Sequence, residues 1–245
     1  MNSITESEQI IKVTAQVVAA ANDGPVAIFD FDKTLVSIDT GSAFIAALIR
    51  RSATRTAAAL LAVPIAGPLF IARGTRLMGI SIFLWIATVG DSRANFDRSC
   101  AEFSSTFHAQ NPGGRTLAVV LEELREHVRA GHRVVVLSGS LCPLVELIIE
   151  RLVEGPVEVI ASSVRPFGWG LIAHRHCVGE AKVKMALDHG VPDRQWDVGY
   201  SDSAADIHVL RRCKRRILIN PSEKAIAAYR RALGAEFEIV RCNSN

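Results

Sequence analysis

The chain alternates short, uninterrupted apolar runs with amphipathic stretches. Residues 26–31, Val-Ala-Ile-Phe-Asp-Phe, start after Asn-Asp-Gly-Pro and end in carboxylates. That pattern predicts a buried strand whose carboxyl end is polar. Similar runs at 134–137, 157–161, 196–200 and 216–220 predict four more strands, and 237–241 a sixth. Helical periodicity fills 116–130, closed by Gly131, and 180–189, closed by Gly190-Val-Pro, with a further helix over about residues 5–21. Continuous apolar strands separated by helices predict an α/β fold with a mostly parallel sheet covered on both faces. In such sheets ligands bind beyond the carboxyl ends of the strands. The polar residues at those ends are Asp30 and Asp32, Ser138-Gly139-Ser140, and Ser201-Asp202. They are expected to converge.

The first two strands are too far apart for a simple crossover. Between them, residues 40–90 hold five arginines (Arg50, Arg51, Arg55, Arg73, Arg76) and no Asp, Glu or Lys. Uncharged runs occupy 56–72 and 77–90, the first containing Pro64 and Pro68, which are expected to break it up. The reading is therefore two units: a core of residues 1–38 and 113–245, and an inserted helical cap of residues 39–112.

Composition narrows the function classes. The 245 residues are 49% hydrophobic and 22% charged, with a mean hydropathy of +0.23, which excludes a disordered chain. A net charge of +3 is too small to argue for a nucleic-acid partner. Five cysteines (Cys100, Cys142, Cys177, Cys213, Cys242) are scattered without CxxC spacing, so neither a disulfide framework nor a structural zinc is expected. The run His174-Arg175-His176-Cys177 resembles a ligand cluster but has no second half, and reads as a polar strand face. The first residues carry two glutamates and no apolar stretch, so no signal peptide is expected and the cytoplasm is the default compartment.

Four short patterns carry the chemistry. Asp30-Phe-Asp32-Lys-Thr34 ends a buried strand, and a bend after it would give its two carboxylates different roles. Ser138-Gly139 offers a hydroxyl and free backbone N–H groups to an anion. Lys182 follows Gly179 at a helix start, and Asp202 and Asp206 lie four apart where a strand enters a helix. In this order and context the set resembles the haloacid dehalogenase (HAD) superfamily of phosphohydrolases, with its HAD-like Rossmannoid core.

The resemblance implies roles. Asp30 corresponds to the nucleophile that forms an aspartyl phosphate, and Asp32 to the general acid and base. Asp30, Asp202 and the backbone carbonyl of Asp32 correspond to Mg²⁺ ligands, with Asp206 supporting them. Ser138, Gly139 and Lys182 correspond to the phosphate clamp. Dehalogenases of the superfamily lack the second aspartate, so Asp32 points to phosphate-ester hydrolysis.

The position of the insertion resembles caps of the first type, which supply substrate contacts. In the phosphoserine phosphatase branch a glutamate stands nine residues after the nucleophile, where this chain has Asp39. The chain is also similar to membrane-lipid phosphatases acting on phosphatidylglycerophosphate, through RGTRLMGISIFLW in the cap and GWGLIAHRHCVGEAKV in the core. That likeness implies an anionic phospholipid substrate, with Arg50, Arg51, Arg55, Arg73 and Arg76 as candidate contacts alongside Asp39. Both uncharged runs fall short of the ~20 residues of a spanning helix, so membrane-surface contact through the cap is expected rather than a span. Trp85 and Tyr200 read as core aromatics.

Overall fold

The computed structural model describes residues 24–70, 74–107 and 116–242. The helix expected near the amino terminus, and Arg73, lie outside the described residues. Seven strands form one sheet in the order β4-β3-β2-β1-β5-β6-β7. They are β1 (Val26–Asp30), β2 (Arg133–Leu141), β3 (Glu158–Phe167), β4 (Gly170–Arg175), β5 (Trp196–Ser201), β6 (Cys213–Ile219) and β7 (Glu238–Val240). All neighbours pair in parallel except β3 and β4, which form an antiparallel hairpin at one edge. The six expected strands are present. The seventh, β4, follows the Gly168-Trp169 turn and ends at Arg175, so the polar-strand reading holds for the exposed His174 and Arg175, whereas His176 and Cys177 lie past the strand and Cys177 is buried.

Side chains of β1 alternate between two cores, which is why its run is apolar up to Asp30. Ala27 and Phe29 point to the core on one face, and Val26 and Ile28 to the core on the other. The adjacent β2 divides likewise, Val134 and Val136 against Val135 and Leu137. Period-two alternation on a strand covered from both sides needs an apolar residue at every position. The first face is covered by α5 (Ala118–Arg129) and α6 (Cys142–Leu152), through Leu121, Leu124, Val145 and Ile148. The second is covered by α7 (Glu180–Asp188), α8 (Ile207–Leu210) and α9 (Glu223–Leu233), through Met185, Val209 and Tyr229.

Between β1 and α5 run α1 (Thr40–Arg50), α2 (Ala53–Leu69), α3 (Arg76–Thr88) and α4 (Arg93–Ser104). Three of these helices start on a side chain that accepts a backbone N–H: Asp39 from Ser42, Ser52 from Arg55, and Ser92 from Asn95. α3 packs on β4 and on α2, and α4 packs on α6. Trp85 of α3 donates its indole N–H to Phe167 O at 3.1 Å, a packing role on the hairpin. Tyr200 is buried, its ring stacked on Phe29 at 4.3 Å.

The prolines do not break α2. The helix is continuous over 17 residues with Pro64 and Pro68 inside it. Each proline removes one backbone donor and crowds the carbonyl four residues back, and both side chains lie on the exposed side, where water can solvate the freed carbonyl. Among the described residues no single helix is long and apolar enough to cross a membrane. Helices α3 and α4, bent 102° apart, meet the length and composition only as a pair, and Phe96, Cys100 and Phe103 of α4 are buried against protein.

Candidate active site

The polar strand ends do converge. Asp30 closes β1, and Asp32 follows in a tight turn where the amides of Thr34, Leu35 and Val36 all donate to Phe31 O. Lys33, at φ 61°, takes the left-handed conformation that an L side chain rarely adopts. That turn is the bend anticipated from the DxD pattern. It sends Asp30 toward β5 and Asp32 toward β2 and the start of α1.

Asp30 sits in a buried ionic cluster. Lys182 Nζ, on α7, donates to Asp30 Oδ1 at 2.5 Å and to Asp206 Oδ2 at 2.8 Å. Thr34 Oγ1 donates to Asp30 Oδ2 at 2.9 Å and accepts from the Asp202 N–H at 3.1 Å, tying the β1 turn to the β5 loop. Ser201 Oγ completes the cluster, donating to Asp206 Oδ2 at 2.8 Å. Burial pushes the Asp30 carboxyl above its ordinary range, while the Lys182 ammonium pulls it down. Burial alone would depress Lys182, but Asp206 and Asp30 hold its pKa above the usual lysine value.

Asp32 is held separately. Its Oδ1 accepts from the Thr40 N–H at 2.6 Å, and its Oδ2 from Ser140 Oγ at 2.7 Å and Ser138 Oγ at 3.3 Å. Burial raises its pKa, opposed by the Ser140 hydrogen bond. A carboxyl that is easier to protonate than usual suits a group that must deliver a proton.

The end of β2 carries a bulge. Its register with β3 slips between Ser138 and Leu141, which turns Gly139 and Ser140 toward the cleft. Ser138 is fully buried, with Oγ accepting from the Ser140 N–H at 3.0 Å. The hydroxyl that lines the cleft is that of Ser140, which also accepts from the Gly41 N–H at 2.8 Å. Glycine is needed at 139, because a Cβ there would lie 2.9 Å from Val178 Cγ2.

These residues floor a cleft of about 260 Å³. Asp30, Asp32, Lys33, Lys182, Asp202 and Asp206 form its polar end, and Ile45, Phe70 and Ile80 of the inserted helices its apolar end. Of the arginines expected to contact substrate, Arg76 lines the cleft. Arg55 instead pairs with Asp91 at 2.9 Å, Arg51 pairs with Glu102 at 2.8 Å, and Arg50 does not line the cleft. Asp39 lines it while its Oδ1 caps α1.

Ser140 and His176 also line the cleft; the sequence placed Ser140 among the converging strand ends without a role of its own, and read His176 as part of a polar strand face. His176 Nδ1 lies 3.2 Å from Ser162 Oγ, and burial, with help from Arg76 and Lys182, lowers its pKa. Its position just past β4, directed inward, has no signature in an isolated His-x-His. For Ser140 the available signal was Ser-Gly-Ser at a strand end, but the bulge that decides which serine faces the cleft is a property of the β2–β3 pairing.

Among the described residues no three His, Cys, Asp or Glu side chains close into a ready-made metal cage. The set implied by the resemblance needs only two carboxylates, Asp30 and Asp202, with a backbone carbonyl. These are hard oxygen donors of the type Mg²⁺ takes. Burial and then Asp206 push Asp202 up to about 6, and Asp206 Oδ1 is buried without a hydrogen-bond partner. Such an excess of carboxylate over ammonium is what a divalent cation relieves, so the residues fit the ion.

A parallel α/β sheet with an aspartate pair closing its central strand, and a lysine and second acidic loop facing it, defines a class of hydrolase. The chain belongs to the haloacid dehalogenase-like hydrolase family, whose pattern matches residues 27–211. Among solved structures it is similar to a protein of unknown function from Bordetella pertussis Tohama I, with TM-score 0.68 and 19% identity over 88% of this chain and 97% of that one. A phosphoserine phosphohydrolase-like protein from Francisella tularensis subsp. tularensis SCHU S4 is similar at TM-score 0.56 and 14% identity, covering 89% and 95%. A HAD family hydrolase from Salmonella enterica subsp. enterica serovar Typhi is similar at TM-score 0.56 and 14% identity, covering 97% and 77%. At such identities the likeness concerns the fold. No curated protein matches the sequence.

Proposed function

We propose that this protein is a Mg²⁺-dependent phosphomonoester hydrolase that works through an aspartyl phosphate, and that its substrate is a lipid phosphate of the phosphatidylglycerophosphate type. Residues 39–112 then act as the cap, on a core of residues 1–38 and 113–245. The observation that carries the phosphatase reading is the separation of the two aspartates: Asp30 against Lys182, and Asp32 against Thr40 and Ser140, both facing one cleft.

In this scheme Asp30 attacks phosphorus in line, and the alcohol leaves with the proton of Asp32. Asp32, now a carboxylate, takes a proton from water as that water attacks the acyl phosphate, releasing phosphate and restoring Asp30. Lys182 and the backbone N–H groups of the β2 bulge offset the charge of the phosphoryl oxygens. Thr34 fixes the Asp30 rotamer and leaves Oδ1 to Lys182. Bound Mg²⁺, held by Asp30, Asp202 and the Asp32 carbonyl, would add charge neutralisation at the phosphoryl group.

The lipid assignment is supported by the two-ended cleft. Its floor is carboxylate and ammonium, its far end is Ile45, Phe70 and Ile80, and Arg76 stands exposed beside that apolar end. A phosphomonoester joined to a second phosphate and acyl chains presents groups in that order. A soluble phosphatase of the phosphoserine type is the second reading. It is favoured by Asp39, a carboxylate lining the cleft that could meet a substrate ammonium.

Phosphate release with Mg²⁺, measured across phosphatidylglycerophosphate, lysophosphatidate, phosphoserine and sugar phosphates, decides between them. A clear preference for a water-soluble ester would overturn the lipid assignment. Asp30→Asn should abolish turnover with the fold intact, and retained turnover would rule out the aspartyl-phosphate scheme.

A further inference from the structure

From Ala57 onward helix α2 is apolar on every side, yet the described residues cover only one stripe of it. Ala59 and Ala66 are its buried positions. From Ala57 to Leu69 it carries no polar side chain, and Leu60, Leu61 and Ile65 are 67, 78 and 70% exposed. A helix apolar all round belongs where something encloses it. Of the ten exposed large hydrophobics among the described residues, six lie between Leu60 and Met78. Contiguous exposure of that kind marks an interaction surface rather than scattered surface residues.

We infer that the outer face of α2 docks in the headgroup region of an anionic phospholipid bilayer, lying parallel to its plane. From Ala57 to Pro68 the face is roughly 18 Å long at the helical rise. That is well short of the ~30 Å hydrocarbon core, so the helix lies in the interface. The charge around it selects the lipid. Residues 40–90 contain no acid. Arg50 and Arg76 are exposed and form no salt bridge among the described residues.

A second copy of the chain fits this face less well. A two-fold contact would set the same apolar face against itself, with Arg50 and Arg76 on both copies and no carboxylate of residues 40–90 to meet them. Anionic headgroups over acyl chains match both its charged rim and its apolar face. The face also reaches the cleft. Phe70 ends α2, is 40% exposed, lines the cleft and lies against Gly79 and Phe83 of α3. Docking would therefore hold the apolar end of the cleft at the lipid surface. The inference deepens the lipid-phosphate reading but rests on α2 itself, so the two are tested separately.

The test is flotation of the full chain with vesicles of phosphatidylglycerol and phosphatidylcholine, against vesicles of phosphatidylcholine alone. Wild type should float with the anionic vesicles and stay behind with the neutral ones. Leu61→Glu/Ile65→Glu, both outward-facing, should lower the floated fraction at least tenfold with unchanged hydrolysis of p-nitrophenyl phosphate. The inference is overturned if wild type floats with neither vesicle or equally with both. It also fails if the variant floats like wild type, or if light scattering shows a wild-type dimer that the variant dissociates. Hydrolysis of a short-chain, water-soluble lipid phosphate is followed in parallel. Lost flotation with retained hydrolysis removes the docking and leaves the substrate reading. Flotation without hydrolysis does the reverse.

Discussion

Replacing Lys182 by methionine tests the core of the site. The side chain is of similar length, so packing is nearly conserved and charge is what changes. Lys182 is 4% exposed and is the cation paired with both Asp30 and Asp206. Its removal leaves two buried carboxylates facing each other, and breaking a buried pair in this way costs about 3–5 kcal/mol. At the sensitivity typical of a domain this size, that lowers Tm by roughly 6–20 °C.

The pH dependence distinguishes this cause from a packing defect. Burial already raises Asp30, and without the ammonium it rises further. Between the ordinary carboxylate range and that raised value the folded variant binds more protons than the unfolded chain. Its stability therefore falls as pH rises, by at most about 1.4 kcal/mol per unit for one proton. The deficit against wild type should be largest near pH 8.5 and shrink toward pH 5.5. Thermal unfolding followed by circular dichroism, with chelator present, measures it at each pH. A deficit that is absent, or that does not change with pH, would refute the electrostatic account.

Three other outcomes are expected. Asp32→Asn should slow hydrolysis of alkyl phosphates far more than of p-nitrophenyl phosphate, whose leaving group needs no proton; equal losses in kcat would contradict its role as acid. His127, 2.7 Å from His132 and 3.1 Å from Tyr200 Oη, has a pKa lowered first by burial and then by His132. Its contribution is therefore present above the ordinary histidine value and lost as pH falls through the lowered one, so Tm should drop on acidification below about pH 6.5. That drop should be shallower in His127→Gln, as differential scanning fluorimetry across pH would show. Gly199→Ala would put a Cβ 2.6 Å from both Cys213 Sγ and Leu210 Cδ2, and should destabilise by about 1–3 kcal/mol in urea titration. An unchanged midpoint would mean that α8 can give way.

Strands were the legible part of this fold. Wherever both faces of the sheet are covered, every residue must be apolar, and runs such as Val26–Asp30 announce themselves without context. The hairpin strand β4 was legible only in part, at the polar face of His174 and Arg175, because it is an edge strand with exposed and half-buried positions. The prolines of α2 misled for a related reason: local propensity argues against helix at Pro64, but packing of the other face on α3 outweighs one lost donor. Arg50, Arg51 and Arg55 looked equivalent to Arg76 as sequence. Only packing shows that Asp91 and Glu102, both beyond the acid-free stretch, neutralise two of them.

By itself, then, the sequence determined six of the strands and the order of the chemical groups along the chain, and its resemblance to a known family implied the kind of chemistry they serve. Residue type and spacing suffice for the first two, since a carboxylate at the end of a buried strand follows from local pattern. Tertiary structure decided which of those groups meet. The bulge in β2 chose Ser140 over Ser138 as the hydroxyl in the cleft. The fold brought Lys182 to Asp30 across 152 positions of sequence, and left one apolar helix face without cover. Those are outcomes of register and of competition for burial among distant segments, and no local stretch of sequence contains them.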